Sequence, residues 1–343
     1  MQNVVCGGRL NAYFMIVLLS IVLFFVVWGL GWLLERLSRA QLDTTLHPGS
    51  RAWYFLVGPG VALHESSHAL GCVFTRTPIA EFKPLSVQVI GDQAFLGYVK
   101  YVNPKSSLKR AVINLAPVAV SLALLVFFAL GATYLVPSSP GIGGKALDLL
   151  QELIGLKSDP VLLANTLYPA LEIGGFVYLF FYTLAGLTVV NPLFWIVAFL
   201  AMTIMFSNAP SVVDISNAMT GLKVIVGFDV FWLILSILMP QSGWLLYGVF
   251  EFLAVMFGLA FAFAGVAYGL FFMITAMARL RTPVNIVPFI ACILTGALLW
   301  YRGYVDPTFL AVVSPAMQTV ISVLVLAILA VLLLLVPSFR ARK

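Results

Sequence analysis

The sequence predicts an all-α polytopic membrane protein with about eight transmembrane helices and a small β-hairpin between the second and third. Of its 343 residues, 62% are hydrophobic and only 9% are charged, whereas soluble domains average about 45–50% apolar and about 25% charged residues. Nineteen basic and 13 acidic side chains cannot cover the surface of a soluble protein of this length. The composition therefore excludes a soluble enzyme and a disordered chain. The basic residues lie between apolar runs, so the net charge of +6 does not indicate a nucleic-acid partner.

Runs of about 20 apolar residues are long enough to cross a bilayer as helices. The first run is too long for the apolar core of a cleaved leader and fits a spanning helix. The fourth run is the longest, and Asn191-Pro192 interrupts it. The expected spans are 13–34, 52–74, 111–136, 173–206, 224–239, 244–277, 284–300 and 309–336.

Basic clusters determine the expected orientation, because Lys and Arg are enriched in cytoplasmic loops. Three such clusters lie at residues 76–110, at 279–281 and at 340–343. All three face the cytoplasm only if residues 173–206 cross the bilayer once, with a kink at Pro192. The interpretation is therefore a multi-pass cell-membrane protein with both termini cytoplasmic. Because 34 residues are long for one span, a broken or re-entrant helix stays open for this run.

The loop after the second span has the composition of β-strands rather than of a helix. Residues 85–90 and 95–102 are rich in β-branched and aromatic side chains, and they flank Gly91-Asp92, a strong turn signal. We therefore expect a β-hairpin in this cytoplasmic loop.

The pattern that carries chemistry is His64-Glu65-Ser66-Ser67-His68, inside the second apolar run. Residues i and i+4 share one face of a helix, so two imidazoles at this spacing can bind one Zn²⁺ ion. Glu65 lies next to the first histidine and can accept a proton from a metal-bound water. Ionisable residues in a membrane span are costly and indicate function. A polar face that lines a water-filled cavity is the simpler alternative.

A catalytic zinc ion needs a third protein ligand and one open position. In the eight-span topology the chain reaches the cytoplasmic side at Asp214, and the two histidines also lie toward the cytoplasmic end of their span. Asn208 and Pro210 break the helix just before Asp214, which could turn its carboxylate inward. Glu251 falls at the wrong depth. Cys72 lies one turn beyond His68, where a buried apolar role is more common than ligation. Asp214 is therefore the preferred ligand, and the other carboxylates considered are Glu172, Asp229 and Glu251.

The order of these motifs resembles that of the site-2 proteases, a family of intramembrane zinc metalloproteases. His64-Glu65-xx-His68 comes first, the hairpin follows, then Asn114-Leu-Ala-Pro117, then Asn208-Ala-Pro210 and Asp214. The resemblance covers roughly residues 52–221. The chain departs from the family pattern at Val213-Asp214-Ile215, where Leu-Asp-Gly is usual, and at Ala116-Pro117, where Gly-Pro is usual. It therefore resembles a divergent member.

The resemblance implies a zinc endopeptidase that hydrolyses peptide bonds of membrane-embedded substrates. It assigns zinc binding to His64, His68 and Asp214, water activation to Glu65 and a substrate contact to Asn208. Asn208 could equally be a helix cap. The partners expected are a membrane protein or peptide substrate and the lipid bilayer. The chain is taken as one membrane domain, 1–343, with a protease-like core at 52–221 and further helices without an assigned role at 222–343.

Two other functions remain open at the level of sequence. The same histidines could bind zinc with a glutamate such as Glu251 as third ligand, in a membrane metalloprotease of another class. Alternatively, the His and Asp cluster could be the transport site of a zinc or proton transporter. Glu65 distinguishes a protease from a transporter, because a transport site needs no non-ligating glutamate beside the first histidine.

Overall fold

The structure, a computed structural model, describes residues 10–45, 50–90, 93–134, 141–209, 211–238 and 244–341. Within these ranges it is almost entirely helical, with one two-stranded antiparallel sheet. The strands are β1 (Ile79–Ile90) and β2 (Gln93–Tyr101). The helices are α1 (Ala12–Thr45), α2 (Arg51–Thr75), α3 (Ser107–Tyr134), α4 (Ile142–Gly155), α5 (Pro160–Ala164), α6 (Tyr168–Gly186), α7 (Pro192–Ser207), α8 (Val212–Leu238), α9 (Trp244–Ala278), α10 (Val287–Val305), α11 (Pro307–Val312) and α12 (Pro315–Leu335).

Seven of the described helices are long and apolar enough to cross a membrane: α1, α3, α6, α8, α9, α10 and α12. They correspond to seven of the eight predicted spans, so the predicted all-α polytopic membrane architecture is confirmed. The remaining predicted span, the second along the chain, is α2. This 25-residue helix does not meet the same criterion of length and composition. Its middle carries the His64–His68 motif.

Residues 173–206 form two helices, so the single kinked crossing preferred from the sequence is wrong. Helix α6 ends at Gly186 and α7 begins at Pro192. The Asn191 side chain caps α7, accepting a hydrogen bond of 3.0 Å from the Leu193 amide. Proline is favoured at the first helical position, where its missing N–H costs nothing, so Asn-Pro here starts a helix instead of bending one.

Helices α1 and α9 run in the same direction where they pack together. The rings of Phe24 and Phe257 pack with centroids 5.5 Å apart. Further along both helices, the Tyr268 hydroxyl donates a 2.7 Å hydrogen bond to the Leu30 carbonyl. Residues further along α1 therefore contact residues further along α9, as in a parallel helix pair. The eight-span topology places these two helices antiparallel, and that part of the prediction is wrong.

The two described ends of the chain lie at opposite ends of α9. The C-terminal segment pairs with the residues that follow α9, because the Arg281 amide bonds to the Phe339 carbonyl and the Ala341 amide to the Arg279 carbonyl, each at 2.8 Å. At the other end, the Asn11 side chain, just before α1, donates a 3.1 Å hydrogen bond to the Ser236 carbonyl near the end of α8, the helix that precedes α9. The cytoplasmic location of both termini stays a prediction.

Helix α9 is the centre of the bundle and packs against α1, α3, α4, α6 and α7. Small side chains on its buried face, such as Ala260, Ala264 and Ala267, are fully buried. Small residues allow helix backbones to approach closely, which stabilises helix pairs where lipid offers no hydrophobic driving force. The buried core lies along this helix and extends to α2 by way of α7, which packs against both.

The predicted hairpin is present, although its Gly91-Asp92 turn lies outside the described residues. Strand β1 pairs with β2 from Ile79–Tyr101 to Ile90–Gln93, with an irregularity between Lys83 and Val87. Gly97 adopts φ +84°, and a Cβ there would lie 2.4 Å from the Pro84 carbonyl oxygen, so this register requires glycine.

The hairpin folds back along α2 rather than extending away from it as a free loop. The Tyr54 hydroxyl, near the start of α2, donates a 3.1 Å hydrogen bond to the Leu85 carbonyl. The Leu85 side chain lies against Gly58. At the other end, Tyr101 contacts Asn114 of α3. The hairpin therefore passes alongside the segment of α2 that carries the histidines.

Candidate metal centre

Helix α2 presents His64 and His68 on one face, as the i, i+4 spacing predicts. Their ring planes are inclined by 84° and their centroids are 4.7 Å apart. The two Nε2 atoms are 3.1 Å from each other. A glycine on the same helix allows α2 to pack closely against α7, since a Cβ at Gly60 would lie 2.6 Å from the Phe206 Cβ.

Each histidine is oriented by a backbone carbonyl from a different helix. His64 Nδ1 lies 2.8 Å from the Ser207 carbonyl oxygen at the end of α7. His68 Nδ1 lies 2.9 Å from the Ile113 carbonyl oxygen of α3. A carbonyl only accepts hydrogen bonds, so each Nδ1 carries a proton and each Nε2 of a neutral ring has a free lone pair. Metal-binding histidines in proteins are held in this way.

Asp214 in the first turn of α8 completes the group. Its Oδ2 lies 3.4 Å from His64 Nε2 and its Oδ1 lies 3.3 Å from His68 Nε2. A reciprocal capping box fixes the carboxylate: the Ser211 amide donates to Oδ2 at 2.9 Å, and the Asp214 amide donates to the Ser211 hydroxyl at 3.1 Å. The predicted third ligand thus meets both histidines.

Three groups that act as acceptors converge in a largely buried place. The side chains of His64, Asp214 and His68 are 12%, 10% and 7% exposed. Their candidate ligand atoms all lie within 4.8 Å of one another, and they are the one group of this kind that the described ranges contain. Two imidazole lone pairs and a carboxylate repel each other in a buried site unless a positive charge lies between them. The arrangement can therefore hold a metal ion.

The cluster lies close to the middle of the bundle. Ser207, whose carbonyl orients His64, is followed by Asn208, and the Asn208 side chain packs 3.3 Å from the Cβ position of Gly31. Gly31 is near the midpoint of α1, a 34-residue helix. The metal-binding group thus lies at a depth that lipid would surround outside the protein.

Glu65 borders the cluster without joining it. Its carboxylate interacts electrostatically with His64, His68 and Asp214, and it lies close to the Val99 backbone of β2. Glu65 is only partly buried, whereas His68 and Asp214 are buried. A carboxylate beside the ligands and partly open to solvent has the position that a proton acceptor needs.

The alternative third ligand Glu251 lies elsewhere, so that prediction is wrong. Its side chain on α9 is fully buried and forms an ion pair with Lys157 at 3.7 Å. Neither of its carboxylate oxygens has a hydrogen-bond partner among the described residues. Glu172 and Asp229 are also outside the cluster of His64, His68 and Asp214. Cys72 is a buried free thiol outside it as well.

Asn208 is a C-cap of α7 with a buried side chain. Its amide bonds to the Ile204 carbonyl at 3.0 Å, which ends the helix. The residue is 2% exposed, and its Oδ1 has no hydrogen-bond partner in the part of the chain that the structure describes. A contact between Asn208 and a substrate stays a prediction.

Sequence reasoning missed the residues that support the ligands. Ser207 and Ile113 act through backbone carbonyls, for which no side-chain pattern exists. Ser121 of α3 donates a 3.1 Å hydrogen bond to the buried Ser207 hydroxyl and so ties α3 to the end of α7. The spacing Ser211-x-x-Asp214 did contain a signal, because it matches the capping box of a helix N-terminus.

The hairpin carries a compact charge network beside α2. Lys83, Tyr98 and Lys100 all hydrogen-bond to the Glu81 carboxylate, and these contacts lower the pKa of Glu81 to about 2. The same contacts raise the pKa of both lysines. Their ammonium groups also lie over the Tyr98 ring, at 5.9 Å for Lys83 and 4.6 Å for Lys100.

Comparison of the chain with protein-family models, with curated proteins and with solved structures finds no match in any of the three. The resemblance to site-2 proteases therefore rests on the order and spacing of the motifs alone.

Proposed function

We propose that the chain is an intramembrane zinc metalloprotease that hydrolyses peptide bonds of membrane-embedded substrates. The observation that carries the proposal is the meeting of His64, His68 and Asp214, with both Nδ1 atoms engaged by carbonyls and both Nε2 atoms directed at one carboxylate. Glu65 beside this group supplies the general base. The order of the motifs resembles that of the site-2 proteases and supports the same assignment.

The dimensions of the group fit a tetrahedral zinc site. Zinc binds His nitrogen and carboxylate oxygen at about 2.0–2.2 Å. In a tetrahedron with those bond lengths, ligand atoms are separated by about 3.3–3.6 Å. The two separations between a histidine Nε2 and an Asp214 oxygen, 3.3 and 3.4 Å, fall in this range, and the Nε2–Nε2 separation, 3.1 Å, is slightly shorter. Three protein ligands leave the fourth position for water, as catalytic zinc sites require.

Each residue of the group has a separate role in the proposed hydrolysis. A zinc ion held by His64, His68 and Asp214 would lower the pKa of a bound water to about 7 and so make a nucleophile available at neutral pH. Glu65 would accept a proton from the water as the water oxygen adds to the substrate carbonyl carbon. The same carboxyl group would return the proton to the nitrogen as the C–N bond breaks, releasing a carboxylic acid and an amine. His64 and His68 keep their orientation throughout because the Ser207 and Ile113 carbonyls hold Nδ1.

The test compares zinc content with proteolysis in purified protein reconstituted in lipid nanodiscs. The substrate is a single-span reporter whose transmembrane helix contains a central Asn-Pro break. Glu65→Gln is expected to keep bound zinc and to lose cleavage by at least about 10²-fold. Asp214→Ala is expected to lose zinc and cleavage together. Glu172→Gln, a carboxylate outside the cluster, is the matched control and should behave as wild type.

Two results would overturn the proposal. If Glu65→Gln cleaves the reporter at the wild-type rate, Glu65 is not the base. If the wild-type protein binds zinc, does not cleave, and instead moves zinc into proteoliposomes, the cluster is a transport site. Full zinc affinity in Asp214→Ala would place the third ligand elsewhere.

A further inference from the structure

Tyr101 lies at the base of the hairpin, in contact with helix α3. It is the last residue of β2 and pairs with Ile79, the first residue of β1. Its side chain turns towards α3 and meets Asn114. No sequence pattern distinguishes it, because aromatic residues are common in strands.

Asn114 holds the Tyr101 hydroxyl in an orientation that leaves its proton available. Asn114 is 4% exposed, and its Nδ2 donates to the Arg110 carbonyl at 2.7 Å and to the Tyr101 oxygen at 3.3 Å. The reverse bond, from the Tyr101 hydroxyl to Asn114 Oδ1, is 3.5 Å long and therefore weak. The phenol accepts from Asn114 and can donate to another group.

Backbone neighbours link this phenol to the ligands. Asn114 follows Ile113, whose carbonyl binds His68 Nδ1. Two residues before Tyr101 on the same strand, the Val99 backbone lies close to Glu65. Tyr101 is also within electrostatic range of Asp214 and of Cys72, one helical turn beyond His68. Strand residues 99–101 therefore border the cluster on the side of the general base.

The reaction needs a hydrogen-bond donor that the ligands cannot supply. When water adds to a peptide carbonyl, negative charge develops on the carbonyl oxygen, and a preorganised donor stabilises it. His64 and His68 use their N–H groups on backbone carbonyls, whereas Asp214 and Glu65 are acceptors when ionised. Tyr101 is half-buried beside the cluster and has a proton to donate.

We propose that Tyr101 is a catalytic residue that hydrogen-bonds to the carbonyl oxygen of the scissile peptide as it becomes an oxyanion. This inference rests on the proposed protease function and adds a donor to it. Tyr101 keeps its proton throughout. The proton that moves is the one Glu65 carries from water to the amine as the C–N bond breaks.

The experiment measures Tyr101→Phe in full-length protein in nanodiscs, with the same Asn-Pro reporter. We expect wild-type zinc content, KM within about twofold, and kcat lower by about 10²–10³, the usual effect of removing one oxyanion donor. Binding of a phosphinic peptide inhibitor, which carries a tetrahedral oxyanion, should weaken, while binding of the uncleaved reporter to a Glu65→Gln background should not. Tyr98→Phe is the matched control, because Tyr98 lies on the opposite face of β2 and hydrogen-bonds to Glu81.

The outcomes separate this inference from the proposed function. If Glu65→Gln is inactive and Tyr101→Phe retains full kcat, the protease assignment stands and the role of Tyr101 is refuted. Loss of zinc in Tyr101→Phe would also refute it, since the residue would then be structural. Equal losses in Tyr98→Phe and Tyr101→Phe would show a general effect on the hairpin. If Glu65→Gln cleaves normally, both proposals fall.

Discussion

Replacing Gly71 by alanine is expected to weaken metal binding without altering any ligand. Gly71 lies on α2, three residues after His68, where the helix crosses α3. A Cβ at this position would lie 2.9 Å from the Ile113 Cα and 3.0 Å from the Ala116 Cβ. Ordinary contacts of this kind begin at 3.4 Å, so the helices must separate by about 0.5 Å. The nearest obstacle is backbone, which cannot rotate away.

The backbone that must move includes the Ile113 carbonyl, which is the hydrogen-bond partner of His68. The Ile113 carbonyl accepts the His68 Nδ1 proton at 2.9 Å. A separation of about 0.5 Å lengthens this bond to about 3.4 Å, beyond the range of a normal N–H···O hydrogen bond. Loss of such an outer partner lowers metal affinity about 10–100-fold. The cost of overpacking, about 1–3 kcal/mol, is partly offset by the gain of about 1 kcal/mol when alanine replaces glycine in a helix.

The assay is competition of the purified metal-free protein with a fluorescent chelator for Zn²⁺, followed by thermal unfolding of the same samples. Gly29→Ala in α1 is the matched control, because no atom lies within 4 Å of a Cβ there. That variant should bind zinc as wild type does. Unchanged zinc affinity in Gly71→Ala, with a lowered unfolding temperature, would show that the Ile113 carbonyl does not tune the metal site.

Two further predictions concern charges outside the metal cluster. Lys157→Met should destabilise the protein by roughly 3 kcal/mol, because it leaves the fully buried Glu251 without its ion-pair partner, and Lys157→Met combined with Glu251→Gln should recover most of the loss in thermal unfolding. No recovery in the double variant would mean that lysine stabilises the protein by packing. The Glu81 carboxyl should titrate near pH 2 instead of 4.5 in a ¹³C NMR titration. Its contribution to hairpin stability is complete above about pH 4.5 and is lost as pH falls towards 2. A midpoint above pH 4 would show that Lys83 and Lys100 do not hold the charge.

The features that the sequence predicted correctly depend on local periodicity. Apolar runs identify membrane helices, and the i, i+4 spacing puts His64 and His68 on one face. The predicted helix break before Asp214 is present, since α7 ends at Ser207 and α8 begins at Val212. The depth argument for Asp214 used the eight-span topology, and that part of the argument does not hold. In each case the determining interactions lie within a few residues of one another.

The predictions that were wrong concern features that depend on contacts between distant segments. The parallel packing of α1 and α9 joins residues more than 200 positions apart, and basic clusters near both ends of the bundle conceal it. Glu251 looked like a possible ligand because an ionisable residue in an apolar run attracts a functional interpretation. Its partner, Lys157, is 94 positions away and carries no motif. Residues that act through backbone atoms have no sequence signature at all.

The charge network on the hairpin bears on how water reaches the metal centre. Strand β1 runs back along α2, so Leu85 lies near Tyr54 and Gly58, and β2 passes Glu65 at Val99. Lys83 lies between these contacts, and the paired residues Glu81 and Lys100 lie one position beyond Val99, so all three are near the depth of Glu65. The lysine side chains are 51% and 63% exposed.

Two ammonium groups exposed to hydrocarbon at that depth would each cost several kcal/mol. The side of the hairpin that carries them must therefore face water, even though seven of the described helices are long and apolar enough to cross a membrane. Hydrolysis at a buried zinc site consumes one water for each bond broken, so this hydrated face is the natural supply route. Replacing Lys83 and Lys100 by leucine would remove the requirement for water there. If the hairpin lines the route, the double variant keeps zinc but hydrolyses the reporter more slowly, and it protects Glu65 from water in hydroxyl-radical footprinting. Unchanged footprinting at Glu65 would place the water path on another side of α2.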